Sequence, residues 1–597
     1  MIDTSVCRTT FELPYPRARL RPRTVSRRAT SIGVLRVAVA AILLAIGGVF
    51  VARCVPVARS YAITSDETTH LARIFHLLRN GTDLGMWDLG APRLPHLLGG
   101  AASYRALREV GIFAAPSDIA AINQVVLSGM PRVLLPARLV AVGWGIALIA
   151  LVFWATARTR GAATGLIAAA LVSLVPECLA HSAIAGSDMP FTASAFLALI
   201  VLARYLERPS AGRWIMVGLA VGLAWAMRHT ALVLVMLAAA AHLWAALRRP
   251  RAAGLGPLAE TLAGSGVATA AMAVLAFVVL WAGDGLGTVS LGEVAGRSSG
   301  SLPRKLGPFA LADLPVPTSA VSVVKQIRHQ NAGHEAYLCG EFRQSGWPLY
   351  FPIAFLLKTP TGLLALFVLC AARARWARPT PWDAVALAFL GILWLMLVRN
   401  KVNIGVRYAL LTYPIAICYV ARMFEPRAVR DRLWGPISLA AVAWFACASY
   451  DASGRYLSYF NEIGGGPRSG WMYLADSNLD WGQDFDALAS AVKRLDIREV
   501  TTDVSSERRL VLPGVYAYYN PSKVLQVQAA TAPNRRLRDD EGGYIPVYTR
   551  YVAVSASRLL GLYSQNDMSY LRTRRLVERI GDTIFLFDMD TPATEPF

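Results

Sequence analysis

Long apolar runs separated by short basic clusters set the pattern of this chain. The runs fall at residues 37–55, 133–155, 162–180, 190–203, 214–227, 230–247, 262–282, 349–370, 382–398, 404–421 and 434–449. Stretches of this kind suit helices that cross a hydrocarbon core of roughly 30 Å, so the pattern predicts about eleven spanning helices. Residues 190–203 and 214–227 are short for a bilayer, and Arg228-His229-Thr230 leaves almost no loop, which allows a partly re-entrant hairpin there.

Between the runs lie three larger polar pieces, at about 56–131, 283–348 and 451–597. The last alternates strand-like stretches (Arg509 to Leu512, Tyr544 to Val554, Thr583 to Phe587) with a helix-like one (Asp484 to Arg494), broken by Gly and Pro. The expected fold is therefore an all-α polytopic membrane bundle carrying an extra C-terminal α/β domain. Its expected parts are a basic tail (1–31), a transmembrane module (32–450) and a soluble domain (451–597).

Composition agrees with a membrane protein. Hydrophobic residues make up 55% of the chain and charged residues 17%, a balance that a soluble domain cannot bury. The net charge of +21 does not point to nucleic acid, because the basic residues sit in short clusters between apolar runs and form no groove-like patch. They read as topology signals. The first 31 residues hold seven arginines (8, 17, 19, 21, 23, 27 and 28) and two acids, with no cleavage site after the first run, so the N-terminus is expected in the cytoplasm. Even-numbered runs end at Arg158/Arg160, at Arg204/Arg208/Arg213, at Arg248/Arg249/Arg251, at Arg373/Arg375/Arg378, and at Arg422/Arg427/Arg430/Arg432. Each cluster then lies inside, and the three polar pieces lie outside a multi-pass inner (plasma) membrane protein. Of seven cysteines, only Cys54 and Cys339 are placed to meet on that outer side.

The residues that break the charge pattern are the candidates for chemistry. Asp66 and Glu67 stand a dozen residues past the first run, where a carboxylate pair at a membrane surface is costly unless solvated or used. On the same outer face the topology places Arg228, Lys358, Arg399, Lys401 and Arg407, with Asp188 near them. A cation deep in a span costs roughly 2.5–3.5 kcal/mol, so each calls for an anionic partner: a phosphate, or the same acids. Asp66 also suits the N-cap of a helix over 67–78, and Asp188-Met189-Pro190 suits a helix start. The tail acids Asp476, Asp480, Asp484 and Asp486 read first as a solvated helix face or a helix start, and otherwise as a cap over the polar cavity. His70, His76, His181 and His229 lack metal-ligand spacing, although oxygens of Asp66 and Asp188 suit a divalent ion.

Several segments in this order resemble the GT-C glycosyltransferases, and within them family 39, which includes protein O-mannosyltransferases and lipid A aminoarabinose transferases. The resemblance runs through Ser65-Asp66-Glu67; Pro176-Glu177-Cys178-Leu179-Ala180-His181-Ser182 with Ser187-Asp188-Met189-Pro190; Gly222-Leu223-Ala224-Trp225-Ala226-Met227-Arg228; Tyr350-Phe351-Pro352 with Lys358-Thr359-Pro360; and Arg407-Tyr408. In the tail it includes Tyr459-Phe460-Asn461-Glu462-Ile463 and Asp476-Ser477-Asn478-Leu479-Asp480-Trp481-Gly482-Gln483. Where many relatives carry Lys after the Gly-Leu-Ala segment, this chain has Arg228.

The resemblance implies inverting transfer of a sugar from a polyprenyl-phosphate donor to an outer-face hydroxyl or phosphate on protein, lipid A or an envelope glycan. Asp66 would be the base, Glu67 would position it or the acceptor, Asp188 would hold sugar or acceptor, and Arg228, Lys358 and Arg407 would hold the donor phosphate. One base suffices, since a phosphate monoester leaves more readily than the alkoxide of glycoside hydrolysis. A polyprenyl-lipid transporter or flippase is the alternative; it would tend to show paired halves, and no internal repeat is present.

Overall fold

The computed structural model describes residues 25–81, 85–114, 132–248, 255–296, 314–373, 380–425, 432–505, 549–562 and 568–593, with short strands at 516–519, 536–538 and 544–546. The basic tail up to residue 24 and the stretch Arg509 to Leu512 lie outside them.

Among the described residues, six helices are long and apolar enough to cross a membrane: Val34–Ser60 (part of Val25–Ser60), Leu134–Arg160, Asp188–Glu207, His229–Leu247, Leu258–Gly283 and Pro381–Arg399. Two bent pairs, Ala162–Ser173 with Pro176–Ser182 and Tyr350–Lys358 with Thr361–Ala372, raise the number to eight. Both pairs break before a proline. Val175 and Thr359 are extended because the following ring excludes the helical conformation, and the chain turns by 68° and 112°.

By length and composition alone, the described residues give six to eight spans against the eleven expected. Ala211–Met227 is shorter than the six, and the run at 404–421 is mostly a turn at Val406–Ala409 followed by the nine-residue helix Thr412–Val420. Trp434–Asp451 forms a helix of 18 residues outside the apolar set.

Burial ranks the helices. Asp188–Glu207 runs through the middle, with 72% of its most apolar window buried in protein, whereas the first helix buries 6% of its own. Ala211–Met227 packs closely on Leu255–Gly283 because Gly222 has no side chain: a Cβ there would meet Val279 and the Ala276 backbone at under 3.0 Å.

At one end of the bundle Arg160 faces Glu425 (3.8 Å), Arg422 holds Asp383 (2.6 Å), and Arg213 donates to the carbonyls of Arg204 and Arg208. The loops expected on the outer face gather at the other end. They are covered by the C-terminal domain, a five-stranded sheet ordered Arg574–Ile580, Ile584–Pro592, Tyr551–Ser555, Glu499–Asp503, Tyr516–Tyr519. The first three strands pair antiparallel and the last two join in parallel. Helix Phe485–Arg494 packs Phe485, Leu488 and Val492 on one face of the sheet together with Ala62. Val552, Val554, Phe585 and Phe587 pack on Phe351, Leu357 and Val406 of the membrane module.

Cys54 and Cys339 do not meet: both are free, one buried and one exposed.

Candidate active site

The helix Ser65–Asn80 brings Asp66 into play by capping itself without it. Thr64 is the N-cap. Its hydroxyl accepts from the Glu67 amide, and the Glu67 carboxylate accepts from the Thr64 amide. Asp66 is thereby released from the cap role that its position suggested, and it points to the neighbouring loops.

Glu67 faces the other way. It is fully buried and receives a forked pair from Arg138 (Nε–Oε1 2.8 Å, Nη2–Oε2 2.7 Å) and the Ala185 amide (2.8 Å). Arg138 uses its remaining donors on the carbonyls of Ala58, Tyr61 and Ala62. Burial alone would raise the Glu67 carboxyl, but Arg138 and the amides hold it below its ordinary value. Its polar partners are internal, and of the two expected roles, positioning the base or the acceptor, this geometry agrees with the first, since Glu67 holds the helix that carries Asp66.

A continuous chain of opposite charges follows. Arg407 donates to Asp66 at 2.8 Å and lies 3.6 Å from Asp188. Arg228 also holds Asp188. His181 lies 3.5 Å from Asp188 through Nδ1 and 3.5 Å from Glu177 through Nε2, and Glu177 meets Lys358 at 3.0 Å. Asp66 is the most accessible member, with 38% of its side chain exposed, against 9% for Arg407 and 5% for Asp188. Burial raises the Asp66 carboxyl, and the Arg407 guanidinium outweighs it, leaving Asp66 below the usual carboxylate value and ionised.

Lys358 is placed differently from expectation. It is buried, and its ammonium donates to the Leu457 carbonyl (2.7 Å) and the Asn478 carbonyl (2.6 Å) while pairing with Glu177. Two of its N–H groups go to carbonyls and its charge faces Glu177, so the ammonium is committed inside the protein. Asp188 opens its helix without capping it, and its carboxylate is committed to Arg228, Arg407 and His181.

The tail segment 476–483 holds the two halves of the site together. The Asn478 side chain accepts from the Val406 amide and donates to Tyr350, while the Ser477 hydroxyl donates to the Ile404 carbonyl. Gly405 permits this approach, since a Cβ there would lie 2.3 Å from the Ser477 hydroxyl. On the other side, the Gln483 and Trp481 carbonyls accept from the amides of Ala62 and Ser65. The Trp481 ring lies 4.4 Å from the Arg407 guanidinium and edge-on to His181. Tyr408 carries Arg228 at 4.5 Å.

Segment 476–483 is thus a clamp, with Asp480 buried, while Asp484 and the exposed Asp486 stand at the start of helix Phe485–Arg494, as one of the expected readings had it. Burial, with Asp480 and Asp582 nearby, pushes the Asp484 carboxyl up to about 6.

Sequence reasoning left Glu177, His181, Arg138, Asn478 and Trp481 without site roles. Glu177 and His181 carry a usable signal, an i,i+4 acid–histidine pair on an otherwise apolar run. Among the described residues no group of three or more His, Cys, Asp and Glu side chains is arranged to hold a metal ion, and Asp66 and Asp188 share an arginine instead. His70 and His96 stack on each other at 4.2 Å.

Residues 122–281 match the family model described as dolichyl-phosphate-mannose-protein mannosyltransferase. That stretch carries Glu177, His181, Asp188 and Arg228, and it agrees with the resemblance to GT-C membrane glycosyltransferases drawn from the motifs. No curated protein matches the chain by sequence. Among solved structures, ArnT from Cupriavidus metallidurans bound to undecaprenyl phosphate is similar at 13% identity and a TM-score of 0.44, covering 93% of this chain and 97% of its own. The apo oligosaccharyltransferase of Archaeoglobus fulgidus is similar at 14% identity and a TM-score of 0.42, covering 76% of this chain and 58% of its own. At TM-scores below 0.5 these neighbours leave the chemistry of the site to its own residues.

Proposed function

We propose that this chain is an integral membrane glycosyltransferase that moves a sugar from a polyprenyl-phosphate donor to an acceptor hydroxyl or phosphate on the outer face, with inversion at the anomeric carbon. The family description matched over 122–281 supports the donor class. The observation that carries the reading is an accessible, ionised Asp66 paired at 2.8 Å with an arginine that also faces Asp188.

In this reading Asp66 takes the acceptor proton as the acceptor oxygen attacks the anomeric carbon. The bond between that carbon and the phosphate oxygen breaks, and its electron pair stays on the phosphate. The phosphodiester gains a negative charge as it becomes polyprenyl monophosphate. Arg407 and Arg228 stand where that charge develops. Donor phosphate drawn to Arg407 loosens its hold on Asp66, and a carboxylate relieved of its cation is the stronger base. Arrival of the donor thereby prepares the base, and in the resting site Arg407 keeps Asp66 weakly basic. Asp188, held by both arginines, fixes their separation and borders the sugar. Lys358 and Glu67 act from behind, one through Glu177 and the tail, the other through the helix of Asp66.

The test uses purified full-length chain in bilayers with a labelled polyprenyl-phosphate sugar. Release of polyprenyl monophosphate together with labelled acceptor is the expected result. Movement of the intact lipid-linked sugar between leaflets without release would overturn the reading in favour of a flippase.

A further inference from the structure

His181 turns both ring nitrogens to carboxylates, Nδ1 to Asp188 and Nε2 to Glu177, each at 3.5 Å, with all three side chains at least 95% buried. The edge of the Trp481 ring faces the imidazole at a centroid distance of 6.0 Å. A neutral imidazole has one N–H, so one ring lone pair would face a carboxylate oxygen where little water screens the repulsion. Only the doubly protonated ring presents an N–H to each acid.

With that ring charged, the connected cluster holds four cations (Lys358, His181, Arg228, Arg407) against three carboxylates (Glu177, Asp188, Asp66). Without its proton the cluster is neutral. Arg228 and Arg407 are already engaged by Asp188 and Asp66, so neither brings a free unit of charge to a ligand.

We propose that the proton on His181 supplies the single uncompensated positive charge of the site, and that the phosphodiester of the lipid-linked donor binds together with that proton. This rests on the donor reading above and adds its regulation. A lipid-linked sugar is a phosphate diester with one negative charge, which closes the balance at zero. Placed against an unprotonated ring, the same anion would be buried without a counter-charge, which is strongly unfavourable. His181 acts through Asp188, so it is a positioning residue. By linkage, donor affinity is level while the ring stays protonated in the free protein and falls about tenfold per pH unit above that point. Glu177 on its own helix and Asp188 on the next hold the proton in place, with Lys358, Arg228 and Arg407 in contact behind them.

The experiment measures binding of a polyprenyl methyl phosphodiester, whose one charge does not titrate between about pH 5 and pH 9, to the full-length protein in nanodiscs. Wild type should bind more weakly as pH rises. His181→Gln, neutral at every pH, should bind at least about tenfold more weakly at the acid end with a flat profile. Glu177→Gln removes one of the three carboxylates, so the cluster keeps one uncompensated positive charge with the ring neutral and its profile should lie flat, near the wild-type acid-end affinity. A His181→Gln profile parallel to wild type, or a Glu177→Gln profile that still falls with pH as wild type does, would overturn the proposal, as would a flat wild-type profile. A wild-type protein that binds no phosphodiester at any pH would instead overturn the donor reading itself.

Discussion

Asp66 and Arg407, 341 positions apart in the chain, form an ion pair at 2.8 Å in which the acid is accessible and the cation is nearly buried. The pair joins the loop after the first helix to a turn that interrupts a late apolar run, and the tail segment 476–483 bonds to both sides of it. A carboxylate held in this way is ionised at neutral pH but weakly basic, and it becomes a base when its cation finds another anion.

Arg407 is accordingly expected to serve both donor binding and base control. Charge-assisted hydrogen bonds contribute roughly 1.5–3 kcal/mol, so Arg407→Ala should weaken donor use at least about tenfold, with Arg407→Lys between it and wild type. The pH profile adds a sign. Arg407 lowers the Asp66 carboxyl; without it that carboxyl rises, and the acid limb of the rate profile moves to higher pH. Transfer rates against donor concentration and pH for the three forms check both points, and an unmoved acid limb would separate Asp66 from Arg407 functionally.

Glu67 and Arg138 are expected to matter for folding rather than turnover. Removing one member of a buried, forked pair leaves an uncompensated charge and costs about 3–5 kcal/mol. Arg138→Met and Glu67→Gln should each lower the yield of folded, detergent-resistant protein, and the double substitution should recover part of it. A Glu67→Gln protein with wild-type stability and lost transfer would restore the acceptor-positioning role.

Asp484 gives a stability prediction with a defined sign. Its folded carboxyl sits at about 6, above the ordinary 3.8, because burial disfavours the charge. A group raised in the folded state contributes stability that is present below its unfolded value and is lost as pH rises through the folded one. The C-terminal domain should lose stability between about pH 4 and about pH 6 and level off above, by an amount on the order of 1–3 kcal/mol. Asp484→Asn keeps the bond from Thr583 and removes the penalty, so it should raise the unfolding midpoint at pH 7 while leaving it unchanged at about pH 4. Equal shifts at both pH values would contradict this.

Much of the architecture was legible in the runs and in the Arg clusters, because lipid exposure and charge placement act along the sequence. The count of spans was not. Pro176 and Pro360 bend two runs sharply, and 404–421 is apolar because most of it packs inside the bundle, with Val406 and Ala409 under the C-terminal sheet, an effect of packing that hydropathy does not distinguish from lipid. Asp66, Asp188, Arg228 and Arg407 stood out as charges in apolar surroundings, and they do meet. Lys358 and Glu67 stood out for the same reason and turned out to be internally satisfied, since the carbonyls of Leu457 and Asn478 and the guanidinium of Arg138 come from distant parts of the chain. Thr64 hides the distinction between Asp66 and Glu67 until the cap geometry is seen.

Sidedness can be checked directly. Reporter fusions after Arg160, Arg249, Arg378 and Arg430 should report cytoplasm, and fusions after Gly285 and Gly454 should report the outside. A cytoplasmic signal at Gly454 would put the tail clamp on the inner side and with it the whole site.

The most direct test of the account is transfer by Asp66→Asn. This change keeps size and most hydrogen bonding while removing the base, so turnover should fall by on the order of 10² to 10⁴ while the protein still inserts and still binds the lipid-phosphate donor. Near-wild-type transfer by Asp66→Asn would contradict the assignment and return Asp66 to the role of a structural partner for Arg407.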